Sequence, residues 1–78
     1  MEEVLAKIIE KGSSLWKKDP SELNADTTFD SVNAKSSHIS SMCTFLEDEF
    51  DVEISYMDFK RCKTFGEAAE YVGGLLEE

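Results

Sequence analysis

The sequence lacks the residue combinations on which most enzymes and metal sites depend. It has a single histidine, His38, and two cysteines, Cys43 and Cys62. One histidine excludes a multi-histidine metal site, the cysteine spacing fits no zinc pattern, and no glycine-rich phosphate loop is present. Paired catalytic groups are missing as well. The sequence therefore predicts a protein that is not an enzyme and holds no metal.

Long apolar runs are also absent, since the longest are a few residues against the ~20 that span a bilayer. The acidic start, Met1-Glu2-Glu3, is unlike a signal peptide. We interpret both cysteines as reduced structural thiols, because small secreted proteins normally use more of them. The sequence predicts one domain, 1–78, in a cytoplasmic monomer that is not inserted into a membrane.

Basic residues are scarce, which leaves a formal net charge of −9. Many of the acidic residues lie between Glu47 and Asp58. Such a surface repels phosphate backbones and anionic lipids, so nucleic acid is not an expected partner. Opposite charge steers association, and we expect protein partners with basic docking patches.

Apolar spacing predicts an all-α fold. The repeats indicate helices over about 2–16, 36–50 and 65–76, with a short helix over 56–61. Asp19-Pro20 should stop the first helix. Thr64 and Glu67 fit a reciprocal capping box at the start of the last one.

A long connection, 20–35, has little periodicity, and a loop of this length in a small domain usually serves function. We expect Phe29 to anchor it to the core and Asn33 to adopt a left-handed conformation where it enters the next helix. Ser36 stands at that junction, where free amides and the helix dipole favour an anion. The more ordinary interpretation of Ser36 is a simple N-cap serine.

From Val32 to about Leu76 the sequence resembles the acyl carrier protein family. Val32-Asn33-Ala34-Lys35-Ser36-Ser37 stands where the family has leucine, glycine, alanine, aspartate, serine and leucine, and Leu46-Glu47-Asp48-Glu49-Phe50-Asp51-Val52-Glu53-Ile54 follows the family pattern closely. The resemblance implies a four-helix bundle of acyl-carrier type with a long loop I and a short helix III. It also implies that Ser36 carries 4′-phosphopantetheine, transferred from coenzyme A by a phosphopantetheinyl transferase that holds magnesium. The arm would carry acyl groups as thioesters, with the chain sheltered between helices II and IV.

The sequence departs from the family beside the serine. Lys35 replaces an aspartate, and Ser37 replaces a leucine. Ser37, Ser40 and Thr44 carry hydroxyl groups on a face that is normally apolar in the family and docks partner enzymes. His38 and Ser41 stand where the family usually has acidic residues. We therefore expect a specialised carrier with dedicated acyl-transfer or synthase partners in fatty-acid, polyketide-like or related acyl biosynthesis. The alternatives are an acidic helical interaction module with a degenerate carrier fold, and an aminoacyl or peptidyl carrier.

Overall fold

A computed structural model describes residues 2–77, which fold into a four-helix bundle, so the predicted all-α class is confirmed. Met1 and Glu78, the ends of the predicted domain, lie outside the described residues. The helices are α1 (Glu2–Trp16), α2 (Ser36–Phe50), α3 (Tyr56–Arg61) and α4 (Phe65–Leu76). Two short 3₁₀ turns, Pro20–Glu22 and Asp30–Val32, interrupt the long connection between α1 and α2. None of the helices within 2–77 is long and apolar enough to cross a membrane.

Helix α1 packs on α4 and α2 through its buried stripe of Val4, Ile8 and Gly12. It ends at Trp16, as the spacing predicts, but Asp19-Pro20 is not what stops it. Lys17 adopts a left-handed conformation with φ 53°, and the next amide, of Lys18, donates to the Ser13 carbonyl at 3.2 Å. This geometry satisfies a free carbonyl of the last turn and terminates the helix before the proline is reached.

Helix α2 buries Ile39, Met42, Cys43 and Leu46, as its apolar spacing predicts, whereas Phe50 at its end is only half-buried. Asp51, with φ 52°, ends the helix and turns the chain back. The connector then buries Ile54, whose amide donates to the Glu47 carboxylate at 2.9 Å. The side chain of one α2 residue thus holds the connector to α3 in place.

The start of α4 is capped in a way that corrects one detail of the predicted capping box. Thr64 Oγ1 accepts from the Glu67 amide at 3.1 Å, as expected. The Glu67 carboxylate reaches back to the amide of Lys63, also at 3.1 Å, instead of the amide of Thr64. Both contacts hold this turn, which the long loop uses as its anchor.

That loop is joined to the turn before α4 by backbone hydrogen bonds. The Phe29 amide donates to the Lys63 carbonyl at 3.1 Å, and the Phe65 amide donates to the Thr27 carbonyl at 2.9 Å. The Phe29 ring is buried among Trp16, Phe59 and Phe65, with ring centroids 6.4, 5.9 and 5.0 Å away. The predicted anchoring role of Phe29 is confirmed, and it fixes the chain a few residues before α2 begins.

Candidate functional site

The entry to α2 is a sharp, hydrogen-bonded reversal of the chain. After the second 3₁₀ turn, Asn33 adopts the predicted left-handed conformation, with φ 58° and ψ 43°. The Ala34 amide then donates to the Phe29 carbonyl at 3.0 Å, which ties the reversal to the buried loop anchor. Lys35 is extended and acts as the N-cap, so Ser36 becomes the first residue of the helix.

The N-cap side chain of α2 caps none of the first helical amides, and the first turn has no acidic residue. Lys35 cannot cap it, because an ammonium group has no acceptor. Helix α3, by contrast, is capped by Ser55, and α4 is capped by Thr64. The amides at the start of α2 therefore remain available to an anion, and the positive end of the helix dipole acts in the same direction.

Ser36 is exposed at this helix start. Its position as first helical residue rules out the N-cap interpretation, because the cap is Lys35. Within residues 2–77, no hydrogen-bond partner of Ser36 Oγ is found, so the hydroxyl is accessible for reaction. Ser37 is exposed too, but only Ser36 borders the neighbouring groove.

The groove beside Ser36 has a volume of about 500 Å³. Phe29 and Ile39 are its buried floor, and Tyr56 and Cys62 form half-buried walls. It lies between the long loop, α2 and the α3 segment. No residue of α4 lines this groove, so it is distinct from the predicted shelter between the second and fourth helices, which stays a prediction.

His38 holds the start of α2 against α1, a role that the sequence did not reveal. Its Nδ1 accepts two hydrogen bonds of 3.1 Å, one from Trp16 Nε1 and one from the Lys35 amide. The side chain is half-buried between the two helices. Its spacing from the N-cap hinted at the Lys35 bond, whereas nothing local indicated Trp16.

The acidic residues predicted to face partners are partly engaged within the chain. Glu47 binds the Ile54 amide, and Glu49 lies 3.0 Å from the Lys7 ammonium. The hydrogen bond to Glu49 raises the pKa of Lys7 above its ordinary value. The other acidic residues of this run are exposed and form no ion pair within residues 2–77: Asp48, Asp51, Glu53 and Asp58. Most of the acidic run is thus open to a partner.

The remaining exposed face of α2 is polar. Its members carry hydroxyl groups and are all solvent-exposed: Ser37, Ser40, Ser41 and Thr44. This face adjoins Ser36 and is the surface that a protein acting on Ser36 must approach. It can offer hydrogen bonds but little apolar area.

Neither cysteine is arranged as a nucleophile. Both are free thiols. Burial is the main cause that raises the pKa of Cys43 to about 11, and burial also raises the pKa of Cys62. Because the thiolate is the reactive form, both side chains are unreactive near neutral pH. Ser36 is the exposed hydroxyl at the start of α2 that borders the groove.

Comparison with known proteins finds relatives, two of which have the same name. A protein of Chlamydia felis (strain Fe/C-56) named "Acyl carrier protein" is 34% identical over 55 residues, covering 69% of this chain and 70% of that protein. A protein of the same name from Exiguobacterium sp. (strain ATCC BAA-1283 / AT1b) is 32% identical over 72 residues, covering 91% of each chain. No protein family model matches the sequence, and no solved structure matches either.

Proposed function

Because the chain belongs to the acyl carrier protein family, we propose that it carries acyl groups as thioesters on a 4′-phosphopantetheine arm attached to Ser36. The choice of residue rests on one combination of features. Ser36 has an exposed hydroxyl, stands at the start of α2 where the N-cap side chain caps no amide, and borders the groove.

The residues around Ser36 suit a phosphodiester. In the attachment reaction the Ser36 oxygen attacks the β-phosphorus of coenzyme A, the adenosine 3′,5′-bisphosphate leaves, and the hydroxyl proton passes to a base of the transferase. The magnesium ion belongs to the transferase. The new phosphodiester carries a negative charge, which the free amides and dipole of α2 stabilise.

The chain's own part is to hold and present the cargo, and enzymes that bind it perform the chemistry. The single histidine accepts hydrogen bonds from Trp16 and Lys35, and burial raises the pKa of both thiols, which keeps them protonated near neutral pH. These groups offer no pair suited to acid–base or nucleophilic catalysis. The arm, once attached, supplies the thiol on which the acyl group is held.

Attachment at Ser36 is tested by intact-mass measurement. The apo protein is incubated with coenzyme A and a permissive phosphopantetheinyl transferase, and one added arm is expected. Ser36→Ala should lose the addition, while the matched variant Ser37→Ala should keep it. If Ser36→Ala still gains the arm and Ser37→Ala does not, the assignment is off by one residue. If no transferase modifies the wild type, the protein acts as an acidic interaction module.

We also propose that the partners are dedicated ones, because the docking face is polar. Burying apolar area contributes ~25 cal/mol per Å², so hydroxyl groups at Ser37, Ser40 and Thr44 weaken a generic apolar interface by roughly a few kcal/mol. Each ~1.4 kcal/mol lowers affinity tenfold. Lys35 further places a positive charge beside the attachment point.

The rate at which a general fatty-acid transacylase loads a malonyl group tests this specialisation. We expect slow loading of the wild-type holo-protein and faster loading of Ser37→Leu, which restores apolar contact next to Ser36. Efficient loading of the wild type would place the protein among the general carriers.

A further inference from the structure

The groove beside Ser36 collects positive charge on a chain that is strongly acidic. Lys60, Arg61 and Lys63 all line it and are all exposed, so they form its cationic rim. Asp30 is the one carboxylate among the residues that line it. Three of the chain's 8 basic residues therefore surround one small cavity, although the net charge is −9.

None of these three cations forms an ion pair within residues 2–77, although the Glu67 carboxylate accepts from the backbone amide of Lys63. The ion pairs found in residues 2–77 involve Lys7, with Glu10 and Glu49. The last turn of α3 offers an ordinary electrostatic reason for Lys60 and Arg61, because a helix C-terminus attracts cations. Lys63 follows the helix and lies outside that effect. Its exposed ammonium group is therefore available to a ligand of opposite charge.

The floor of the groove has a different character from its rim. Phe29 and Ile39 are 7% exposed each, and Tyr56 is half-buried beside them. A volume of about 500 Å³ falls within the range of small-molecule sites. An apolar floor under a cationic rim fits a short hydrocarbon chain that ends in an anionic group.

We infer that the groove selects acyl groups that end in a carboxylate. The inference rests on the proposed function, since an arm on Ser36 would deliver the acyl group into the groove. The methylene chain would cover the floor, and the distal carboxylate would meet the cations of the rim. Exposed ion pairs are individually weak and screened by salt, so the selectivity depends on several cations acting together and decreases as salt is raised.

The inference can be tested without the arm. The apo protein is titrated, at low salt and with NMR detection of backbone amides, with the N-acetylcysteamine thioesters of glutaric acid and of valeric acid. These acyl groups have equal carbon counts and differ in the terminal carboxylate. We expect the glutaryl thioester to bind about three- to tenfold more tightly and to shift the amides of residues 60–63.

Variants of the cationic rim, with a control that removes the same number of charges as the double variant, show whether the rim causes the preference for the glutaryl thioester. Lys60→Gln/Lys63→Gln should abolish the preference, and Arg61→Gln should reduce it. The matched control, Lys17→Gln/Lys18→Gln, changes two exposed lysines outside this groove and should preserve the preference. Circular dichroism verifies that each variant is folded.

Three results would overturn the inference. One is equal binding of the two thioesters, and a second is a preference that survives in Lys60→Gln/Lys63→Gln. The third is stronger binding of inorganic phosphate alone at the same amides, which would assign the cations to the phosphate of the arm. The mass measurement on Ser36 is independent of all three, so failure of this inference and failure of the carrier function can be told apart.

Discussion

Replacing His38 by alanine should destabilise the protein measurably, because one ring nitrogen accepts hydrogen bonds from two elements. The Lys35 amide is on an exposed residue and can bind water instead, whereas Trp16 is half-buried and its indole N–H loses a partner. A neutral hydrogen bond contributes about 1 kcal/mol. The edge-to-face contact of the Trp16 and His38 rings, whose centroids lie 5.5 Å apart, contributes about another 1 kcal/mol. The expected loss in the free energy of unfolding is about 2 kcal/mol.

A loss of this size is large for such a small domain. A chain of 78 residues has a free energy of unfolding of roughly 4–12 kcal/mol. Two kcal/mol, at about 4–8 °C per kcal/mol, should lower the melting temperature by about 8–16 °C. Urea denaturation followed by circular dichroism measures the free energy, and fluorescence of Trp16, the single tryptophan, reports the local contact.

A double-mutant cycle isolates the Trp16–His38 hydrogen bond. Trp16→Phe keeps an aromatic ring but has no N–H, so the cycle with His38→Ala should give a coupling energy of about 1 kcal/mol. His38→Gln is the matched control, because glutamine at this position can still accept from the Lys35 amide. A coupling energy below about 0.3 kcal/mol, or a His38→Gln protein as stable as the wild type, would refute the argument.

Two further predictions concern stability. Gly12→Ala should not gain the ~1 kcal/mol usual for such a change in a helix, because the new Cβ would lie 2.9 Å from the Trp16 ring. The new Cβ of Gly74→Ala meets no atom within 4 Å, so this variant should gain that stability. Thermal unfolding that shows the same change in stability for both variants would contradict the packing argument. Burial raises the pKa of Cys43 to about 11, above an unfolded value near 9, so the folded state favours the protonated thiol. The protonated thiol contributes its full stabilisation of the folded state below about pH 8.5, and this contribution declines by about 2 kcal/mol as the pH rises to 11. The difference in the free energy of unfolding between the wild type and Cys43→Val, measured by urea denaturation across this range, should decline by the same amount. A difference that stays constant with pH would contradict this.

The helices could be predicted because their signals are local. The spacing of Ile39, Met42, Cys43 and Leu46 defines a buried face whatever it packs against, and the structure buries all four residues. The left-handed Asn33 and the Thr64 cap were also predictable, since each depends on the backbone preferences of one short segment. Local sequence signals therefore suffice to predict where the helices lie and that Ser36 stands at the start of one.

Contacts between distant segments could not be predicted in this way. Trp16 and His38 are 22 residues apart, and their contact depends on how α1 and α2 pack. Lys7 and Glu49 lie on the same two helices, and their pairing removes a carboxylate from the expected partner surface. The cationic rim likewise lies beside Ser36 only because the long loop packs near the last turn of α3 and the segment that follows it. Periodicity in the sequence contains no information about such meetings.

The packing of Phe29 limits what the groove can hold. The ring is part of the groove floor and is also packed between Trp16, Phe59 and Phe65 in the core. Interiors are close-packed, so proposed cargo that reached below the groove floor would have to displace this ring and lose those contacts. Removing a buried phenylalanine from its contacts costs roughly 3–5 kcal/mol, a large part of the stability of a domain this small. Cargo that stays above Phe29 avoids that cost, so under the proposed function the aromatic cluster that anchors the loop would also set the depth to which an acyl group enters the groove.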